Sequence, residues 1–214
     1  MNTREKILAE ALTLFSQKGF DAVSVRDIAR AVGVKESSLY NHFANKQAIF
    51  DSILQGYTEQ WNALFAGLPI TDAAGAFHAD APTVEQYRSM TVTQFEAMAD
   101  TLFDAYMTDD VNVKVRKMLT MEQYRSRDIG ALFKQISFGD SLAYQEALFA
   151  RMMEAGLFDA ADPKMLALAF FAPVFLLFYQ YGDAPEQLEE ARELFRRHLR
   201  HFRQTYGAKA PREE

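Results

Sequence analysis

Cysteine is absent from the 214-residue chain. That absence excludes disulfides, thiol nucleophiles and cysteine-ligated zinc, and it fits a reducing cytoplasm. Glycine and proline are scarce, at ten and six residues. They cluster at points of punctuation, which favours long helices over strands. The chain has no alternating run of strand type and no internal repeat. The signatures G-x-S-x-G, H-E-x-x-H and the phosphate-binding P-loop are all missing. Histidine is limited to His42, His78, His198 and His201. His198 and His201 share a helix face at i,i+3, but Arg196, Arg197, Arg200 and Arg203 crowd them and repel a cation. No metal site, no cofactor and no enzyme activity is therefore expected. The N-terminus, MNTREKILAEALTLF, carries charges where a secretory leader has its apolar run, so a cytoplasmic location is expected.

What is present can fill a large core. Hydrophobic residues make up 49% of the chain, with 18 Phe and nine Met, and methionine suits adaptable packing. The formal net charge is −6, which alone argues against a nucleic-acid partner. The charge is uneven, however. Residues 1–50 hold seven of the 23 Lys and Arg and five of the 29 Asp and Glu, a net of +2, which leaves −8 for residues 51–214.

Helical spacing runs from Thr3 to about Lys18 through Ile7, Ala11, Leu12 and Phe15, and Gly19 is a natural stop. Ser24-Val25-Arg26-Asp27 has the form of a capping box. It opens a second helix that buries Ile28, Ala29 and Val32 and ends at Gly33. A short third helix is predicted over Lys35–His42, and Asn45 is placed to cap a fourth from Lys46. Residues 67–83, with two Pro and two Gly, read as a loop. Further helices are predicted over about 84–107, 111–125, 128–155 with a break at Gly139, 165–181 and 186–206. The fold class is all-α, with a helix-turn-helix domain over 1–46 and a larger domain over 47–214.

The third helix is short and has little core. With Leu39 and Phe43 inward, and about 100° of rotation per residue, Ser37 and Asn41 point most directly outward. Tyr40 and Ser38 flank them, and Lys35 begins the helix. Two short helices joined at a glycine turn and braced by a preceding helix form a helix-turn-helix. The second helix of such a pair fits the DNA major groove. Asn bonds adenine in a bidentate manner, Ser bonds several bases, and Tyr reaches a phosphate.

Residues 5–54 resemble the DNA-binding domain of the TetR/AcrR family of bacterial transcription regulators. The matching residues are Ile7, Ala11, Phe15, Gly19, Phe20, Val25, Ile28, Ala29, Ala31, Gly33, Val34, Leu39, Tyr40, His42, Phe43, Lys46 and Leu54. The resemblance implies that Tyr40 and His42 contact phosphates and that Lys46 holds one at the start of the fourth helix. It implies that Ser24, Val25 and Arg26 face the DNA backbone, and that Ser37, Ser38 and Asn41 face base edges. The chain departs from the family at Lys35, where Ser or Thr is common, and at Ser37, where Gly is. Lys35 caps poorly but can add a phosphate contact. Glu36 is unfavourable near phosphates unless it turns away or accepts from a cytosine. The family also implies a C-terminal helical domain that binds a small molecule and dimerises. The function so implied is a ligand-responsive regulator, most often a repressor, released from a palindromic operator by its effector. The alternative is a helical interaction or ligand-binding module that no longer regulates transcription.

Met165–Tyr181 is uncharged, 17 residues long and contains Pro173, which is short for a membrane span. A helix apolar all round must be buried all round, so a homodimer is expected. Phe171, Val174, Phe175 and Phe178, with Leu188, Phe195, Leu199 and Phe202 of the last helix, are its candidate interface. Candidate effector-binding residues are Phe95, Met98, Phe103, Tyr106, Met118, Met121, Glu122, Tyr124, Phe133, Phe149, Met152 and Phe170. Together they suit an apolar or aromatic molecule, and singly each is a plausible core residue. Glu96 and Glu122 either meet a cationic ligand or pair with Arg88, Arg125 or Arg127.

Overall fold

The structure, a computed structural model, describes residues 1–65, 68, 70–72, 75–182 and 184–208. Its helices are α1 (Thr3–Lys18), α2 (Val25–Val32), α3 (Glu36–Tyr40), α4 (Lys46–Phe65), α5 (Ala81–Ser89), α6 (Val92–Met107), α7 (Asp110–Glu122), α8 (Arg127–Lys134), α9 (Asp140–Glu154), α10 (Pro163–Tyr181) and α11 (Leu188–Tyr206). Among the described residues there is no strand, only the isolated bridges Thr71–Phe77 and Phe158–Gly207. The chain is all-α, as its periodicity predicts. Of the expected loop 67–83, residues 67, 69, 73 and 74 lie outside the described residues, as does Asp183.

Helix boundaries differ from the expected ones at several points: α5 starts at Ala81, inside the expected loop 67–83, and two further differences have a local reason. The helix expected over 84–107 is two helices, because Thr91 and Gln94 form a reciprocal capping box that starts α6 and leaves Met90 extended. The break expected at Gly139 is instead a π-helical stretch, Gln135–Gly139, that carries α8 into α9.

Packing divides the chain into two compact units. The first is Met1–Trp61 with Asp109–Lys134, and the second is Asn62–Thr108 with Gln135–Glu214. The division at 46/47 follows the motif, whereas compactness follows contacts made far along the chain. In the first unit α7 packs on α1. It buries Asn112, Val115, Met118, Leu119 and Glu122 along one stripe. Phe15, Phe20 and Phe50 form an aromatic cluster with centroids 5.3 to 6.1 Å apart.

In the second unit α10 packs against α6, α9 and α11. Arg192, Arg196 and Arg200 recur one turn apart on α11 and meet carboxylates one turn apart on α6. Arg192 lies 2.7 Å from Asp104, Arg196 grips both Asp100 oxygens at 2.9 and 2.6 Å, and Arg200 lies 3.9 Å from Glu96. Glu96 thus pairs with a residue absent from the expected set, because the antiparallel register of α6 and α11 brings Arg200 opposite it.

The core of this unit takes most of the expected dimer residues. Phe171, Val174, Phe178, Phe195, Leu199 and Phe202 are all buried within it. Leu188 packs against the same cluster, and Phe175 is half-buried against Phe138. The outward apolar face of α10 is Met165, Leu168, Ala172, Leu176 and Tyr179, at spacings of three and four. α10 is 19 residues long and meets the length and hydropathy of a membrane span. Its buried face is nevertheless a wall of a protein core.

Of the expected effector-binding residues, Phe95, Phe103, Tyr106 and Phe170 belong to one apolar cluster of the second unit. Phe149 and Met152 belong to another that also touches Phe170, and Met98 is buried on α6. Burial pushes the Tyr106 phenol up to about 12, so it stays a neutral hydroxyl, hydrogen-bonded to Ser141. Met118, Met121, Glu122, Tyr124 and Phe133 are in the first unit instead. Tyr124 is 91% exposed and Met121 is also exposed. The 3.6-residue period cannot assign a helix to one core or another, and by its contacts α7 belongs to the first unit.

Candidate nucleic-acid interface

The interface is built from α1 upward. α1 opens on a reciprocal cap between Asn2 and Glu5. At its end Gly19 has φ 79°, and a Cβ there would lie 3.3 Å from Glu122 Oε1. The backbone conformation calls for glycine at this point, and a Cβ would press on the Glu122 carboxylate. α2 opens on the predicted capping box. Ser24 accepts from the Asp27 N–H, and Asp27 accepts from the Ser24 N–H and hydroxyl. Those bonds hold the Asp27 carboxyl below its ordinary range. Gly33 takes the left-handed conformation, φ 78° and ψ 31°, and the Val34 N–H returns to the Ala29 carbonyl at 2.9 Å. This stop directs the chain into α3.

α3 is shorter than predicted, Glu36–Tyr40, with Asn41 and His42 in the turn beyond it. Lys35 makes no side-chain cap, as its chemistry predicts. Leu39 is fully buried and Phe43 nearly so, and these two anchor the element. Ser37, Tyr40, Asn41 and His42 are exposed, Ser38 is half-buried, and Tyr40 keeps 52% of its surface. Ser24 and Arg26 are exposed and Val25 is half-buried. Glu36 turns to Arg26, with Nε to Oε1 at 2.9 Å. The pair removes the carboxylate's conflict with phosphate and uses the Arg26 charge to do so.

Lys46, expected to hold a phosphate, makes intramolecular contacts that the motif does not imply. Its ammonium donates to the Phe20 carbonyl at 2.6 Å and the Val23 carbonyl at 2.7 Å, and sits 4.1 Å from the Phe20 ring centroid. Burial lowers its pKa, and the nearby Asp21 opposes that shift. It acts as a clamp on the turn between α1 and α2, because the chain reversal at Gly19–Val23 leaves carbonyls that need donors. Glu122 holds the same turn from α7. It is only 4% exposed, accepts the Phe20 N–H at 2.8 Å, and pairs with Arg125 at 3.0 Å. Arg125 also pairs with Asp21 at 2.9 Å and lies over the Phe20 ring. Structural pairing, one of the two readings open for Glu122, is therefore the one observed. The turn's dependence on α7 has no local sequence signal, since about a hundred residues separate the partners. Lys46→Met is expected to cost about 1–3 kcal/mol in urea unfolding, because the Val23 carbonyl loses its ammonium donor and the Phe20 carbonyl keeps only the Val23 N–H at 3.4 Å. It should leave the salt dependence of DNA binding unchanged, whereas a phosphate contact would remove about one unit of slope.

Residues 7–53 match the family described as "Bacterial regulatory proteins, tetR family". The chain is 46% identical over 48 residues to IcaR, the biofilm operon negative transcriptional regulator of Staphylococcus aureus, covering 22% of this chain and 26% of IcaR. It is 29% identical over 124 residues to the transcriptional repressor KstR2 of Mycobacterium tuberculosis, covering 54% of this chain and 62% of KstR2. These matches span about a quarter and somewhat under two thirds of those relatives. Among solved structures, SmeT, the repressor of the Stenotrophomonas maltophilia multidrug efflux pump SmeDEF, aligns with a TM-score of 0.64 at 20% identity, covering all of this chain and 96% of SmeT. SmeT has also been solved in complex with triclosan.

Proposed function

We propose that this chain, a tetR-family bacterial regulatory protein by its residues 7–53, is a ligand-responsive DNA-binding transcriptional repressor. The observation that carries the reading is the exposed row Ser37, Tyr40, Asn41 and His42, carried by an element anchored on Leu39 and Phe43. Asn41 and Ser37 read base edges, with Ser38 beside them. Tyr40, His42, Lys35 and the start of α2 hold the DNA backbone. Residues 1–46 are the DNA-binding domain in this sense, although their fold leans on α7.

One head carries little net charge and few free cations, so two heads on a near-palindromic operator are needed for useful affinity. The outward face of α10 joins them into a homodimer. The effector is an apolar or aromatic molecule taken up among the Phe, Tyr and Met side chains of the second unit. Support for that class comes from their density and from the triclosan complex of the similarly folded SmeT. Effector binding releases DNA to the extent that the effector prefers the released state. The chain crosses between the units after residues 61, 108 and 134, giving three covalent routes for that preference. A cytoplasmic location is part of this proposal.

The test is fluorescence anisotropy with duplexes from the DNA flanking the protein's own gene, each compared with a scrambled duplex. The wild type is expected to prefer one flanking segment. Asn41→Ala should cost about 1–3 kcal/mol of that preference and relax it at adenine positions, while Tyr40→Ala should weaken all duplexes alike. Equal binding of flanking and scrambled DNA by the wild type, in protein freed of co-purified ligand, would count against the reading.

A further inference from the structure

The cations of the N-terminal helices are not equally free to meet a polyanion. Arg26 pairs with Glu36 at 2.9 Å, Arg30 with Asp27 at 3.7 Å, and Lys46 is bound to two backbone carbonyls. Lys35 stands exposed at the start of α3. Arg4, in the first turn of α1, stands apart from the rest. Its guanidinium carbon lies 5.0 Å from the Phe43 ring centroid, and its Nη2 lies 3.5 Å from Ser52 Oγ on α4. The residue is exposed, and among the described residues no carboxylate pairs with it. The neighbouring carboxylates are turned elsewhere. Glu5 accepts from the Asn2 backbone N–H and side-chain amide, and Asp51 accepts from Gln47.

Phe43 follows directly on Asn41 and His42. A guanidinium seated on its ring is therefore fixed beside the C-terminal end of the readout helix, as Lys35 is at the N-terminal end. Stacking on an aromatic face holds a long side chain in place and leaves its planar N–H fork open to a phosphate oxygen. We infer that Arg4, docked on Phe43, is a DNA-phosphate contact that supplies the anchoring charge which the family motif assigns to Lys46. The inference rests on the DNA-binding reading and names a contact from outside the helix-turn-helix motif.

The test uses the full chain and a labelled mixed-sequence duplex, with anisotropy read from low to moderate salt, so no operator need be known. Arg4→Ala is expected to reduce the slope of log affinity against log salt by about 0.9 for each head bound, and to weaken every duplex alike. Arg4→Lys should keep the slope. Lys6→Ala makes the same charge change about 200° round the helix and should keep it too. Thermal unfolding of each variant checks that the fold is retained. An unchanged slope in folded Arg4→Ala overturns the inference, as does an equal fall in Lys6→Ala, which would mark a diffuse charge effect. Absence of wild-type binding at low salt overturns the DNA-binding reading itself, and the contact with it.

Discussion

Replacing Glu122 by alanine is expected to destabilise the protein by about 2–3 kcal/mol in urea unfolding. The substitution takes the acceptor from the buried Phe20 N–H and the partner from Arg125. Loss of one member of a fully buried ion pair costs about 3–5 kcal/mol. Arg125 is about a third exposed and retains Asp21, so water and that second carboxylate moderate the loss. Glu122→Gln keeps an acceptor for Phe20 while removing the charge, and should cost about half as much. The pair also separates two roles. If Glu122 served a cationic effector, Glu122→Gln would abolish effector response at unchanged stability. If it holds the turn, both variants lose stability in the order given. Because that turn leads into α2, DNA affinity should fall with stability.

Leu176→Glu is expected to convert a dimer to a monomer in sedimentation at micromolar concentration. Leu176 is 59% exposed in the outward α10 stripe, where a carboxylate would be desolvated without a partner in the joined state. In the isolated chain the same carboxylate faces water, so thermal stability should move little. Operator affinity should fall by about 10²–10⁴-fold, since the second head no longer binds as part of the same molecule. Phe178→Glu is a contrasting case. Phe178 is buried in the core and stacks on Tyr106 at 4.4 Å, so it should fail by unfolding. A Leu176→Glu protein that remains a dimer would show that the stripe is not the interface.

Local chemistry made the N-terminal helices readable. Ser24 with Asp27, Gly33, Asn45 and the inward pair Leu39 and Phe43 act over three to five residues, and each does in the fold what its spacing implies. The exposed row from Ser37 to His42 follows from the same short-range geometry. α6 was legible in principle as well, through Thr91 and Gln94, but apolar periodicity across residue 90 concealed its start.

The sequence by itself determined the helix-turn-helix, its capping and its outward hydrogen-bonding groups, because these depend on neighbours within one or two turns. Only the tertiary structure decided which charges are free. Lys46 reaches back to carbonyls at Phe20 and Val23, Arg26 reaches forward to Glu36, and Arg4 finds Phe43, all through chain reversals that spacing cannot encode. It also decided which unit α7 serves, since the partners Phe20 and Glu122 are far apart along the chain. For α10 the reason is different. A helix apolar on every side has no phase in its sequence, so only packing against α6, α9 and α11 could divide its buried face from the face left for a partner.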